Sequence, residues 1–402
     1  MVGQDSVQAC VYGNETYFFF GDTNRPSYPL GNFFTTGARG PAVGELNASH
    51  TLPLRYFQNT DGFVAPMAPM ELRTPSTPVW VGGLLSLAPT ATHIRKYLAS
   101  DGDQSAPGGG MYTFYTKGGM TAQEFGLLQW NSSGSQFALV PGARWNTTGL
   151  PDDAWMQRLR SNLLGSQATV DTNSSWVYFT SAYPVLRART SPAALANLSS
   201  YEAWTCLAAG ATMVAPRLDR DATGKLIYSW KPGTPPVSAE DQTRLVHLGL
   251  ATTAELWINL TSIGTDKTAG SAVALKRGSA RYNAHLDRWL IVGQASPGTV
   301  WLAAASTVEG PYRRALLVAD HSSSGSSMQN GDSSTGLAYN FYNPAQHDFL
   351  DDGSIVYFSG TYATTFAPQH HMTPRYDYNS ILYRLDLSSL PRSSFITPSN
   401  HP

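Results

Sequence analysis

The stretch Asp5–Thr23, DSVQACVYGNETYFFFGDT, decides how this chain is read. A short strand leads into a Gly13-Asn14 turn. The very apolar run Tyr17-Phe18-Phe19-Phe20 follows, and Gly21-Asp22-Thr23 closes the segment. A two-residue Gly-containing connection between such runs is a hairpin signal. An aspartate stands at each end, Asp5 and Asp22, seventeen residues apart. A strand this apolar belongs in a core, and a carboxylate directly after it emerges where the sheet ends, at the mouth of a cavity. Paired carboxylates at such a mouth are what acid/base hydrolysis of glycosidic bonds needs. The competing reading is that Asp22 simply closes a strand, as Asp often does, and that Asp5, near the terminus, faces solvent.

Outward from this hairpin the same pattern recurs. Apolar or alternating runs flank Gly82-Gly83, Asp171–Ser174, Thr223-Gly224, the polar turn between Ala280–Asn283 and Arg288–Val292, and Asp352-Gly353. Met111–Tyr115, Phe125–Trp130 and Ile381–Leu387 read as further strands. Helical patterns are confined to Pro151–Leu164, Ser191–Leu198, which opens on a Ser-Pro cap pair, and Ser238–Leu248. They do not alternate regularly with strands, which argues against a parallel βαβ fold. The 402 residues then form a pair of sandwiches or a propeller. Five blades would take roughly 80 residues each, loops included. No Trp-Asp, kelch or Asp-box repeat marks the blades. His321–Gly336, HSSSGSSMQNGDSSTG, reads as a flexible Ser/Gly-rich loop.

Composition narrows the function. Charged residues are 14% and the net charge is −1, against the basic surplus of a nucleic-acid binder. The 20 Tyr, 16 Phe and 10 Trp suit a protein that stacks on sugar rings. No run approaches the roughly 20 apolar residues of a membrane span. No signal-peptide pattern opens the chain, and Met1-Val2-Gly3 before the hairpin suggests a mature form with an added initiator. Asn14, Asn47, Asn131, Asn146, Asn173, Asn197 and Asn259 are N-x-Ser/Thr acceptors, which points to a secreted, glycosylated eukaryotic product. Cys10 and Cys206 form one disulfide in an oxidising compartment or stay separate buried thiols.

Zinc-protease, Cys-x-x-Cys, phosphate-loop and Gly-x-Ser-x-Gly motifs are all missing from the sequence. What is left is carboxylates and polar-aromatic clusters at strand ends. Asp22 is followed by Asn24-Arg25. Glu71 precedes a Pro-rich strand entry and Glu202 sits in Tyr-Glu-Ala-Trp. Tyr282-Asn283 ends a strand, and Tyr342, Asn343 and His347 lie in one polar-aromatic run. Arg375 and Asp377 flank a tyrosine before the last strand. The bland alternatives are a surface ion pair for Glu71 with Arg73, a first-turn role for Glu202 and a structural hydrogen bond for His347.

The motifs DSV…GDTNRPSYPLGNF, YEAWTCL, YNPAQHDF…GSIVYFSGTYATTF and TPRYDYNSILYRLDL resemble a group of secreted bacterial and fungal proteins without a firm activity. That group is distantly similar to the five-bladed β-propeller family that includes microbial endo-D-arabinanases. The resemblance runs from Asp5 to Leu387. It implies an all-β, single five-bladed propeller over residues 1–402, with long loops and a few short helices. It also implies that Asp5 and Asp22 are the catalytic acid/base pair. Two departures stand out. Thr299 and Ala304 occupy positions where the group carries glutamates, and Arg39-Gly40 replaces a Ser after Gly37-Ala38.

The resulting expectation is a secreted, monomeric glycoside hydrolase acting on a polysaccharide or glycoconjugate, furanoside-containing ones included. Asn24, Arg25, Glu71, Glu202, Tyr282, Asn283, Tyr342, Asn343, His347, Arg375 and Asp377 would contact substrate. The alternatives are a non-catalytic carbohydrate-binding propeller and an extracellular protein-interaction propeller. No cofactor is called for. A structural metal ion on the axis beside His347 is compatible with the fold, and no motif demands one.

Overall fold

The computed structural model describes residues 3–25, 28–41, 52–74, 77–87, 109–171, 173–263, 269–320, 340–363 and 378–390. The loop at 321–336, Arg375, Asp377 and Asn47 lie outside them, as do the side chains of Asn24 and Arg25. Strands are numbered in chain order. The first blade is β2 (Val7–Tyr12), β3 (Glu15–Phe20), β6 (Thr36–Pro41) and β7 (Arg55–Tyr56). The second is β8 (Val79–Leu87), β9 (Gly110–Lys117), β10 (Glu124–Asn131) and β11 (Gln136–Asn146). The third is β12 (Gln167–Asp171), β13 (Trp176–Thr180), β14 (Pro184–Arg189), β15 (Glu202–Thr205) and β16 (Ser229–Pro232). The fourth runs outward through β19 (Arg277–Asn283), β20 (Arg288–Gln294), β21 (Thr299–Ala305) and β22 (Arg314–Asp320). Beyond β22 lie β17 (Leu260–Ser262), parallel to it, and β18 (Ala272–Val273). The fifth is β23 (Asn340–Gln346), β24 (Ile355–Ala363) and β25 (Tyr378–Asp386). Among the described residues the α-helices are α1 (Trp155–Leu163), α2 (Pro192–Leu195) and α3 (Ala239–His247).

The innermost strands β2, β8, β12, β19 and β23 pack one against the next in a closed ring. This is a five-bladed β-propeller. Hydrogen bonds tie the ring at its axis. Gln167 Nε2 donates to the Val7 carbonyl at 3.1 Å, Thr169 Oγ1 to the Ala280 carbonyl at 2.5 Å, and Asn343 N to Gln294 Oε1 at 3.0 Å.

Blade packing explains the opening motif. Successive side chains of a strand point to opposite faces, and a propeller blade is covered on both. Tyr17 and Phe19 enter the core shared with Met111, Leu128, Trp130 and Phe137 of the second blade. Phe18 and Phe20 enter the core that meets Phe349 of the fifth. Phe19 is fully buried, with its ring 4.7 Å from that of Phe137. Burying each such ring stabilises by about 2–3 kcal/mol, and Phe19→Ala would cost about 3–5 kcal/mol.

Two hairpin expectations change. Gly82-Gly83 is a bulge inside one continuous β8, not a turn. Gly83 takes φ +64°, and a side chain at Gly82 would meet the Gly165 backbone of the third blade at 2.5 Å. The glycines there let two inner strands approach. Met213–Leu218 is irregular rather than a strand, with one isolated bridge, from Leu218 to Leu207. The three helices lie where the sequence indicates. Ser238 and Asp241 form a reciprocal cap on α3, and Ser191 caps α2.

The disulfide is not formed: Cys10 and Cys206 are both free. Cys10 lies on the innermost strand of the first blade with its Sγ 3.4 Å from Met111 Sδ. Cys206 follows β15, packed under α3 in a core of its own with Leu245 and Met213.

Candidate active site

The opening hairpin is longer than the blade it begins. Val7 pairs with Phe20, and in the same register Gln4 pairs with Thr23 and Gly3 with Asn24. The arms β2/β3 belong to the first blade. The arms β1 (Gly3–Gln4) and β4 (Thr23–Arg25) continue past it, and β1 lies against β25 of the fifth. Asp5 and Asp22 face each other at the kink between the two halves, where Asp5 N donates to the Asp22 carbonyl at 2.9 Å. Directly opposed residues of an antiparallel pair have Cβ atoms about 4.5–5.5 Å apart on one side of the ribbon.

A cavity of about 230 Å³ lies at the N-terminal ends of the inner strands, with Asp5 in its wall. Asp22 does not line it and adjoins it through its bond to the wall residue Trp80. Every blade contributes. Asp5, Ser6 and Gln8 come from the first, Trp80 from the second, Gly165 and Gln167 from the third, Arg277 from the fourth, and Tyr342 and Asn343 from the fifth. The volume is below the roughly 300–1,000 Å³ of drug-sized sites, so it suits about one sugar unit.

The two carboxylates have different environments. Asp5 is half-buried and well supplied with donors. Ser6 Oγ donates to its Oδ1 at 2.7 Å, and the Tyr342 hydroxyl donates to it while accepting from Tyr378. Asp22 is 8% exposed and accepts a bond from Trp80 Nε1 at 2.8 Å. Burial pushes its pKa up to about 6 against the pull of the Trp80 bond, and the neighbouring Asp5 charge raises it further. Burial and the same two carboxylates hold the Tyr342 and Tyr378 hydroxyls well above the ordinary tyrosine range, so both stay protonated.

The scaffold around Asp5 is strained and tied down. Ser6 and Asn343 both have left-handed backbones, φ +38° and +53°. Asn343 Nδ2 donates to Ser6 Oγ at 2.7 Å, and Ser6 N donates to Thr361 Oγ1 at 2.7 Å. Left-handed residues other than glycine cost about 1–2 kcal/mol each. Such outliers persist where the surroundings hold them, often at functional sites.

Of the residues singled out by sequence, the structure brings Asp5, Asp22, Tyr342 and Asn343 together. It places the others elsewhere. Glu71 is exposed in a short turn of 3-10 helix. Glu202 lies on β15, where its Oε2 takes two bonds from Arg187 at 2.8 and 2.6 Å. The Arg187 guanidinium is held between the Trp176 and Trp230 rings. Tyr282 and Asn283 form the β19–β20 turn at the far end of the axis, bonded to Asp287 and Leu286 N. His347 is buried at the end of β23, 2.7 Å from Ser359 Oγ, and burial pushes its pKa down to about 3. It is a neutral structural group. Asp351 also has a pKa raised by burial, to about 7, but its oxygens hold Tyr357 N and Gln346 Nε2.

The departures from the resembled group also fall away from the cavity. Thr299 closes its own turn onto Ser296, Ala304 lies on the third strand of the fourth blade, and Arg39 pairs with Glu15 at the surface. Trp80, Ser6, Tyr378 and Arg277 were missed by sequence reasoning. Each sits at the beginning of a strand or just before one, a position that gains meaning only once inner strands are known. Among the described residues no group of three His, Cys, Asp or Glu side chains is placed to hold a metal ion. No helix among them is long and apolar enough to cross a membrane. Asn14, Asn131, Asn146, Asn173 and Asn197 are exposed, and Asn259 is half-buried.

No protein-family model matches the chain, and neither does any curated protein. Solved structures do. A protein from Bacteroides ovatus ATCC 8483, provisionally described as a hydrolase, aligns over 95% of this chain and 85% of its own, with TM-score 0.51 and 14% identity. An exo-β-1,3-galactanase from Phanerochaete chrysosporium aligns over 97% of this chain and 62% of its own, with TM-score 0.43 and 11% identity. A GH43 β-xylosidase/α-arabinofuranosidase from a compost microbial metagenome aligns over 95% and 91%, with TM-score 0.39 and 7% identity. The first of these likenesses supports the fold.

Proposed function

We propose that this chain is a glycoside hydrolase in which Asp22 is the general acid and Asp5 the anionic partner. The observation that supports the reading is a buried Asp22 held beside the Asp5 that lines the axial cavity. Burial raises Asp22 to about 6, while Asp5 accepts bonds from Ser6 and Tyr342. Unlike environments are how acid and base roles are divided between like residues. Asp22 gives its proton to the glycosidic oxygen as that bond breaks. Asp5 stabilises the developing positive charge at the anomeric carbon and attacks it. The ionised Asp22 then takes a proton from water as water releases the sugar. The Trp80 ring lines the cavity and offers a face for the sugar.

The substrate class is a polysaccharide or glycoconjugate, and the exposed sequons support secretion with glycosylation. The test is reducing-end release from a glycan panel by the wild type, Asp5→Asn and Asp22→Asn. Removing a general acid costs about 10²–10⁴-fold, so both variants fall at least that far on any cleaved glycan. Binding without cleavage, or cleavage that survives Asp22→Asn, overturns the reading.

A further inference from the structure

A second cavity, of about 400 Å³, opens beside the axial one between the third and fourth blades. Ser181 and Tyr183 after β13, Ser238 and Glu240 at the start of α3, and Arg158 and Lys276 are among its walls. Arg277 lines both cavities and so stands at their junction. Its guanidinium makes one hydrogen bond, from Nη1 to the Leu164 carbonyl at 3.1 Å. No carboxylate among the described residues pairs with it, and burial alone lowers its pKa. Arg160 also rests on one carbonyl, that of Ala122, but it lines neither cavity. Two other arginines are paired. Arg281 is bonded to Asp348 and Arg187 to Glu202.

A desolvated cation is costly unless a counter-charge and further acceptors complete it, and a planar fork of N–H donors matches an oxyanion with two oxygens. The outer cavity adds to that preference. Arg158 and Lys276 outnumber Glu240 along its wall, although Arg158 is already 3.2 Å from Asp241. We infer that the substrate is an acidic glycan whose carboxylate or sulfate, on the sugar entering the outer cavity, is gripped by Arg277. This rests on the hydrolase reading for the axial cavity, and it specifies the substrate class.

Direct binding, read by calorimetry, separates the two ideas. The probes are oligogalacturonate, a sulfated galactan oligosaccharide, and neutral arabinan and xylan oligosaccharides of matched length. The wild type is expected to bind at least one acidic probe about 10- to 100-fold more tightly than the neutral ones, the value of one charge-assisted pair. Arg277→Gln erases that preference, and Arg277→Lys restores part of it. Preference for the uronate probe assigns a carboxylate, and preference for the sulfated one assigns a sulfate. Equal binding of acidic and neutral probes by the wild type overturns the proposal without need of any variant. An acidic preference that survives Arg277→Gln also overturns it. Cleavage of neutral glycans alone would leave the hydrolase reading standing and remove this one. Acid-selective, Arg277-dependent binding with no cleavage of any glycan would do the reverse.

Discussion

Asp22→Asn should stabilise the protein at neutral pH while removing its activity. In the folded chain Asp22 has a pKa of about 6, against 3.8 for the unperturbed group. Its folded pKa is raised, so the folded state binds more protons than the unfolded state between those two values. Stability therefore falls as pH rises through that window. The shift of about 2 units is worth about 3 kcal/mol once the pH is well above 6. Between pH 4.5 and 7.5 about 2 kcal/mol of it is lost. Asparagine has nearly the same shape, can still accept the bond from Trp80 Nε1, and carries no charge at any pH. The difference in unfolding free energy between variant and wild type should therefore grow by about 2 kcal/mol over that interval. At a slope of about 3 kcal/mol/M this moves the relative urea midpoint by about 0.7 M. Paired urea titrations at the two pH values measure it, and other titrating groups cancel between the proteins. A difference that is the same at both pH values would refute the claim that burial and Asp5 keep Asp22 protonated.

Trp80→Phe removes the bond that favours the ionised form of Asp22, worth about 1.5–3 kcal/mol. The basic limb of kcat/KM should then move up by about one pH unit or more, read from the rate profile. Tyr342→Phe leaves Asp5 without one of its two donors, and kcat should fall about tenfold with little change in KM. Attack by Asp5 on the anomeric carbon, as proposed, proceeds through a covalent intermediate. Proton NMR of the first-formed sugar should therefore show retention of anomeric configuration.

Much of the fold was legible because its signal is local. The run Tyr17–Phe20 could only be a strand buried on both faces, and the Gly13-Asn14 turn fixed its partner. The three helices announced their caps. Gly82-Gly83 misled because glycine serves turns and bulges alike, and the choice depends on the third blade's backbone passing close by. At the site, pattern alone let Asp22 be a strand-closing turn residue and Asp5 a solvent-exposed one, and only the resemblance joined them as a pair. Tyr342 and Asn343 followed from an unusual polar-aromatic run. Glu71, Glu202 and His347 looked no different in sequence, yet they serve the surface, an arginine clamp and a buried hydroxyl. Arg277 and Trp80 gave no signal, since what distinguishes them is ring closure, which brings five strand ends separated by hundreds of residues to one cavity.

The central claim is that Asp22 works as a protonated acid beside the axial cavity. The pH dependence of kcat/KM on any glycan the wild type cleaves tests it most directly. The account predicts a basic limb near pH 6 that falls tenfold per unit and that vanishes with the activity in Asp22→Asn. A profile flat from pH 5 to 8, or a limb near 6 that persists with full activity in Asp22→Asn, would contradict it.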